Sequence, residues 1–417
     1  MDFTNLKNFI DTLPAYGIPS SDIIVYRDHE ELWRHSVGEP LRGDELYNTY
    51  SCSKIVTCVA ALQLFEQGKF LMKDPISQFL PEFDELYVKK GTFSVDCETP
   101  VTFYHLFTMT AGLNYDLTAP VLREVVERTD GRAPTRDFIA ALARVPLDFE
   151  PGTQFQYSLC HDVLACLVEV ISGMRFGEYC KKYIFEPCGM VDSTFIATEE
   201  VRARMAPQYR YNDARKKALR VELANPYVPG CEYESGGAGL ISSVNDFIKF
   251  TDALACGGVS YLGNRIISEH TLRMMRTNCI TDEMKVAFRK KWPVLDGFGY
   301  GFGVRCEPEL SRGLNASPSE FGWHGAAGSF MYKYIAGVYP ENAGYENFTV
   351  KPFMPEKLLS AQAGIDTRFG RISVRWTKRY GEAHLYVDVP FGCTCHAEFM
   401  GEKKTWTHGT HMIHVPL

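Results

Sequence analysis

The chain has 417 residues, 45% hydrophobic, 13% aromatic and 23% charged, a balance that excludes disordered, collagen-like and coiled-coil classes. At about 150 residues per domain it has room for two or three domains with a large core, so it needs no disulfide or metal staple to fold. Its 44 basic and 51 acidic residues leave a net charge of −7, which repels phosphate backbones and anionic lipid and argues against nucleic acid or a membrane surface as partner.

Along the chain, Phe3, Leu6, Phe9, Ile10 and Leu13 first mark one face of a helix, without the basic start and apolar block of a signal peptide. Ile23 to Trp33 carries strand formers on both sides of Arg27-Asp-His-Glu30 and reads as a hairpin. A second strand, Glu45 to Tyr50, runs into a helix over Ser51 to Gly68, with Ile55, Val59, Leu62 and Phe65 at helical spacing and Gly68 as its stop. Residues from about 70 to 210 read as a helical, loop-rich subdomain punctuated by prolines. The glycine run Ser235 to Gly239 reads as a tight turn, because it lacks the closing Gly-Lys-Ser/Thr of a phosphate loop. Ser243-Val-Asn-Asp246 is a capping-box arrangement opening a helix from Asp246 to Ala255. Gly299-Tyr-Gly-Phe-Gly303 falls in a strand with no helix after it, which rules out a dinucleotide fingerprint. Beyond about residue 340 the texture is all-β, with strands over Phe348 to Lys351, Arg371 to Trp376, His384 to Val389 and Met412 to Val415.

No apolar run approaches the roughly 18 residues needed to span a bilayer, so the chain is expected to be cytoplasmic. Thirteen cysteines is an odd count, and their scatter from Cys52 to Cys395 has no small-domain framework, which makes reduced thiols the default. The sequons at Asn315 and Asn347 then carry no glycan.

The segment that can do chemistry is Ser51-Cys-Ser-Lys54. Three residues apart at the start of a helix, the hydroxyl and the amine lie on one face within reach of each other. A serine hydroxyl is a poor nucleophile unless a base takes its proton, and a lysine serves only where burial or nearby positive charge lowers its pKa. The positive end of the helix disfavours the ammonium and stabilises negative charge at the serine. A surface serine and lysine on any helix would look the same, so the weight falls on the surrounding sequence.

That sequence, Tyr50-Ser-Cys-Ser-Lys-Ile-Val-Thr-Cys-Val59 onward to Pro81 with Val101-Thr-Phe-Tyr-His-Leu-Phe-Thr-Met-Thr-Ala-Gly-Leu113, resembles the serine β-lactamase and penicillin-binding-protein-like superfamily. The similar branch holds class C β-lactamases, D-peptidases and related carboxylesterases. The resemblance implies an α/β (α+β) fold of β-lactamase/transpeptidase type, an antiparallel sheet plus a helical subdomain, with Ser51 as nucleophile and Lys54 as its base. In Pro151-Gly-Thr-Gln-Phe-Gln-Tyr-Ser-Leu159 it places a catalytic tyrosine at Tyr157. Where penicillin-interacting members have Y-x-N, Leu159 removes an amide, and Y-S-L resembles the esterase branch. In Phe321-Gly-Trp-His-Gly-Ala-Ala-Gly-Ser329, setting Gly325 in the glycine place gives Trp323-His324-Gly325, the W-x-G form of carboxylesterases. An indole there cannot bind a carboxylate as a cation would, so acids and β-lactams lose an anchor and neutral esters do not. Shifting by one, to H-x-A from His324, would lose the glycine that admits the substrate to the strand backbone, and the tryptophan register is preferred. By the same resemblance the oxyanion is held by the backbone N–H groups of Ser51 and Ala326.

The resemblance runs from about residue 10 to 330. Beyond it, Met331 to Pro352, Ile365 to Trp376 and Val387-Asp-Val-Pro390 resemble the C-terminal β-sandwich of bacterial α-L-rhamnosidases, a module that does not supply the catalytic acids, so no rhamnosidase activity is carried over. The expected domains are a hydrolase over 1–335, with its helical subdomain at about 70–210, and a small all-β sandwich over 336–417. The strands that ordinarily close the hydrolase sheet are replaced. Either tail strands cover the exposed edge, or the hydrolase half is weakened.

No metal and no cofactor is expected. His408, His411 and His414 alternate across a strand and so would not converge, and Cys393, Cys395 and His396 have the same parity problem. The function read from the sequence is a serine hydrolase with an acyl-enzyme intermediate, a carboxylesterase acting on small neutral esters as its small-molecule substrates. The enzymatic rival is a β-lactamase or D-amino-acid peptidase acting on amides. The rival of another class is a catalytically weakened chain that binds carbohydrate or protein.

Overall fold

A computed structural model describes residues 2–16, 18–38, 43–212, 215, 217–222, 224–291, 298–308, 321–323, 338–340, 346–352, 354, 360–367, 369–379 and 381–417. Contacts divide the chain into two units. One holds the described residues up to Phe288 with Tyr300–Cys306 and residues 321–323, and the other is made chiefly of the described residues from Val338 to Leu417.

In the first unit the apolar stripe at the start forms the helix Thr4–Ile10, with Phe9, Ile10 and Leu13 buried. The expected hairpin is present as the antiparallel strands Ser20–Arg27 and Glu30–Gly38. Its two-residue turn has Asp28 and His29 at positive φ, the conformation that matches strand twist in a tight hairpin. His29 Nδ1 meets Asp252 Oδ2 at 2.6 Å, tying the turn to the helix Val244–Ala255. That helix is capped by Ser243, which accepts from Asp246 N at 3.1 Å, and it starts two residues before the expected Asp246.

The central element is the helix Ser53–Glu66, in which every residue from Ser53 to Leu62 is buried. A helix with no solvent face belongs in the middle of a core, and here it packs beside the helix Cys160–Ser172. The strand expected over Glu45 to Tyr50 is shorter. Tyr47–Asn48 pairs with Ile241–Ser242, and a tight 3₁₀ turn, Tyr50–Cys52, then leads into the helix. Between about 70 and 210 the chain is helical and loop-rich as expected, but it also forms two hairpins, Tyr87–Lys90 with Phe93–Asp96 and Gln208–Asn212 with Lys217–Val221. The strand expected around Gly299 to Arg305 is in fact two short strands, Phe298–Tyr300 and Arg305–Pro308, folded back by a bond from Gly301 N to Val304 O.

The second unit is all-β. One four-stranded sheet runs Val338–Pro340, Asn347–Val350, Thr394–Phe399, Glu402–Trp406, and the other Ser360–Thr367, Gly370–Arg379, Glu382–Val389, Gly409–Pro416. Asn347–Val350 pairs in parallel with Thr394–Phe399, while the other described pairs are antiparallel. Glu382–Val389 alternates in burial at every step, the period-2 pattern of a strand with one face inward. Phe348, Val350 and Phe399 from one sheet and Val374, Trp376 and Leu385 from the other share one apolar cluster, the interior of a sandwich.

Candidate active site

Tyr50, just ahead of the candidate nucleophile, has φ +47. This is a left-handed conformation that costs a bulky residue about 1–3 kcal/mol, and it sets Ser51 in the tight turn rather than on the helix itself. Ser51 Oγ makes a short hydrogen bond with Tyr157 Oη. Lys54, in the first turn of the helix, is fully buried and donates from Nζ to Gly237 O at 2.5 Å and to Ser51 Oγ at 3.4 Å. The same nitrogen lies 4.6 Å from the centre of the Tyr157 ring and 5.4 Å from that of Tyr115. Ser51 Oγ is thus contacted by both the phenol and the amine.

The glycine run forms a turn, and the turn explains why the lysine stays where it is. Three side chains from the start of the helix stitch it down: Ser53 Oγ accepts from Leu240 N at 3.0 Å, Lys54 reaches Gly237 O, and Thr57 Oγ1 donates to Gly236 O at 2.7 Å. A Cβ on Gly236 would lie 2.5 Å from His161 O, and one on Gly237 would collide with Asp162 Oδ2. Only glycine permits so close an approach. From the other side the buried Asp162 Oδ1 accepts from Ser235 Oγ at 2.6 Å and Tyr233 Oη at 3.0 Å. Burial pushes its carboxyl above the usual range. Asp162 stands five residues beyond Tyr157, just past the segment that identified the tyrosine. Only folding reveals that its carboxylate anchors the turn holding Lys54.

Trp323 stacks on Tyr157, with ring centres 5.8 Å apart and planes 10° apart, and meets Tyr300 edge-on at 5.4 Å. Leu159 is buried, so no amide stands beside the serine from the third place of that motif. His324, Gly325 and Ala326 lie outside the described residues. Ser51 and Tyr157 open onto a cavity of about 800 Å³, walled by Tyr50, Tyr115 and Tyr227 and bordered by Gln208 and Arg210. Sequence reading found none of these five; Tyr50 merely preceded the motif, and the others come from distant segments.

In the second unit His411 stacks on Trp406, while His414 stacks on His384 across the strand pair and approaches Glu382. The three tail histidines therefore point to different neighbours. Cys393 and Cys395 are buried in the sandwich and His396 is on its outer face. Glu382, His384 and His414 nevertheless bring ligand atoms within 4.8 Å of one another, as do His29, Asp252 and Cys256 beside the hairpin of the first unit. Among the described residues the cysteines form no disulfide. Among the described residues no helix is long and apolar enough to cross a membrane.

The family model for beta-lactamase matches residues 6–338, and that for the bacterial alpha-L-rhamnosidase C-terminal domain matches residues 337–413. An uncharacterised protein of Mycobacterium tuberculosis is 30% identical over 318 residues, 74% of this chain and 77% of that protein. The esterase EstB of Burkholderia gladioli is 30% identical over 252 residues, 55% of this chain and 62% of EstB. Among solved structures EstCE1, a hydrolase with promiscuous acyltransferase activity, aligns at TM-score 0.60 and 22% identity, covering 79% of this chain and 88% of its own. At that identity the likeness establishes the fold.

Proposed function

The chain belongs to the beta-lactamase family and is a serine hydrolase of it, and we propose that it is a carboxylesterase forming an acyl-enzyme on Ser51. The observation that carries this reading is the meeting of Ser51 Oγ with Tyr157 Oη and Lys54 Nζ at the head of a buried helix. Ser51 Oγ attacks the ester carbonyl carbon while its proton passes to the Tyr157–Lys54 pair. The oxygen of the tetrahedral intermediate is held by the Ser51 N–H and, as a carry-over from the family, by that of Ala326. Collapse breaks the bond to the alcohol, which takes the proton back as it leaves. Water then repeats the cycle on the acyl-enzyme and releases the acid.

Trp323 and Leu159 favour esters over β-lactams and D-peptides. An indole lies against the tyrosine where a cation would hold a substrate carboxylate, and an apolar side chain replaces the amide. Two relatives are named as esterases, EstB and a lovastatin esterase, which favours this reading, while others are named as acyltransferases. We assign the hydrolase to residues 1–335 and the sandwich to 336–417, and cysteines that form no disulfide among the described residues fit a reducing, cytoplasmic setting.

The test is turnover of a chromogenic short-chain ester beside a chromogenic cephalosporin, with fluorophosphonate labelling read by intact mass. The ester is expected to be hydrolysed and the cephalosporin spared, with a single adduct on Ser51. Ser51→Ala is expected to lower ester turnover by roughly 10⁴-fold or more and to abolish the adduct. An unlabelled serine in folded protein would favour a binding role instead, and cephalosporin turnover would favour the β-lactamase rival.

A further inference from the structure

We propose that the ester hydrolysed here has a flat apolar body and carries an oxyanion at the end remote from its scissile carbonyl, held by Arg210. The proposal rests on the esterase reading above and deepens it.

The cavity beside Ser51 measures about 800 Å³, within the range that encloses a ligand of drug size and far more than a short acyl chain fills. Its walls are aromatic. Tyr115 stacks on Tyr157 at 5.6 Å with planes 10° apart, and Tyr227 stands edge-on to both Tyr115 and Tyr50, at 5.5 and 6.1 Å. Rings arranged this way offer both faces and edges to a flat partner.

Among the described residues that line it, Arg210 carries the only charge and none is an aspartate or glutamate. Its position follows from the strand it occupies. Tyr50 Oη donates to Gln208 Oε1, which fixes Gln208 next to the residue before the nucleophile. On an extended strand, residues two apart share a face and are separated by about 7 Å. Arg210 therefore stands on the same face as Gln208, one step further from Ser51.

Among the described residues Arg210 makes no ion pair or hydrogen bond, although the chain has 51 acidic side chains to 44 basic ones. Arg34, Arg132, Arg136 and Arg204 each hold a carboxylate within 3 Å. An exposed arginine bordering an aromatic cavity whose described lining holds no acid suits a planar oxyanion, which it can bind through two parallel N–H bonds. An anchor of the kind lost where Trp323 replaces a cation is thus offered by Arg210 on the cavity wall. There it selects for the remote part of the substrate and leaves the reacting carbonyl in a neutral environment. Carboxylate and phosphate share this chemistry.

The experiment compares kcat/KM for three chromogenic phenylalkanoate esters that differ only at the far end of the acyl group: a carboxylate, a phosphate monoester and a neutral carboxamide. We expect an anionic ester to be preferred over the carboxamide by at least 10-fold at low salt, with the preference shrinking as ionic strength rises. Arg210→Met should bring the ratio close to one, and Arg210→Lys should restore much of it. Whichever anion leads identifies the group. Equal turnover of all three, or a preference that survives Arg210→Met, overturns the inference. The esterase reading is judged separately by whether the carboxamide ester is hydrolysed and whether that hydrolysis disappears in Ser51→Ala. Its failure removes the premise and the inference with it, whereas Ser51-dependent turnover without anion preference sinks the inference alone.

Discussion

The two units differ in what they bury. Around the central helix of the first, Lys54, His161 and Asp162 are fully enclosed, together with Ser53, Thr57, Ser158 and Ser235. In the second, the described core is Phe348, Val374, Trp376, Leu385, Val387 and their apolar neighbours, and no buried polar or charged side chain is found among its described residues. Burying an unsatisfied polar group costs about 1–3 kcal/mol and an unpaired charge more, a cost that the first unit offsets with bonds such as Ser235 Oγ and Tyr233 Oη to Asp162 Oδ1 and Lys54 Nζ to Gly237 O. Their concentration around one serine indicates that this core is shaped for chemistry, whereas the sandwich core serves packing.

The sharpest way to break this contrast is Lys54→Met, which keeps the volume and removes the amine. If the lysine is there for proton transfer, kcat/KM for an ester should fall by roughly 10³-fold or more. Stability should fall by no more than about 1–3 kcal/mol, because methionine fills the same space and the main loss is the donor to Gly237 O. A variant that unfolds in dilute urea while the remaining folded protein keeps its turnover would assign the lysine to structure instead.

The next largest effect lies in the other core. Trp376 is fully buried between the sheets, and Trp376→Ala should cost about 3–5 kcal/mol through lost burial and the cavity left behind. The midpoint of urea unfolding, followed by far-ultraviolet circular dichroism, reads it. A loss below about 1 kcal/mol would mean that the sandwich interior collapses easily onto the gap and that its packing is looser than its complete burial implies.

The contrast also explains what could be read before folding. The sandwich strands were legible because a one-sided apolar core imposes a period of two, visible from Arg371 to Trp376 and from His384 to Val389. Ser51, Lys54 and Tyr157 were legible because the spacing of local motifs is a property of the chain. The supports of the site were not. Asp162, Ser235 and Gly237 come together only through tertiary structure, and the positive φ of Tyr50 leaves no mark on its side-chain type. The strand expected up to Tyr50 ends at Asn48 because Tyr50–Cys52 curls into the turn that presents the serine. Arg210 went unnoticed for a similar reason: a surface arginine gains meaning only from the rings and the missing acids around it.

A half-buried carboxyl and an enclosed imidazole of the first unit give the smallest and most specific test. Glu169 accepts from Phe176 N at 3.0 Å, and burial pushes its carboxyl up to about 7. Burial pushes the His161 imidazole down to about 3. The signs are opposite. A raised acid contributes stability that is present below its ordinary pKa near 4.5 and is lost as pH rises through about 7. A depressed histidine contributes stability that is present above about 6.5 and is lost as pH falls through about 3. Between pH 4.5 and 6.5 the two slopes oppose and flatten the wild-type profile. Glu169→Gln keeps an acceptor for Phe176 and removes the falling limb, so its stability relative to wild type should rise with pH across 4.5 to 7. His161→Asn removes the rising limb and should shift the other way as pH increases from 3 to 6.5. Each relative change should be about 2 kcal/mol, allowing for residual solvent contact and relaxation. Urea midpoints at unit steps of pH decide the matter, because every other titrating group cancels in the difference. Variant profiles parallel to wild type would show that these two groups titrate normally in the fold, and the polar core would then hold its charges more loosely than the contrast with the sandwich requires.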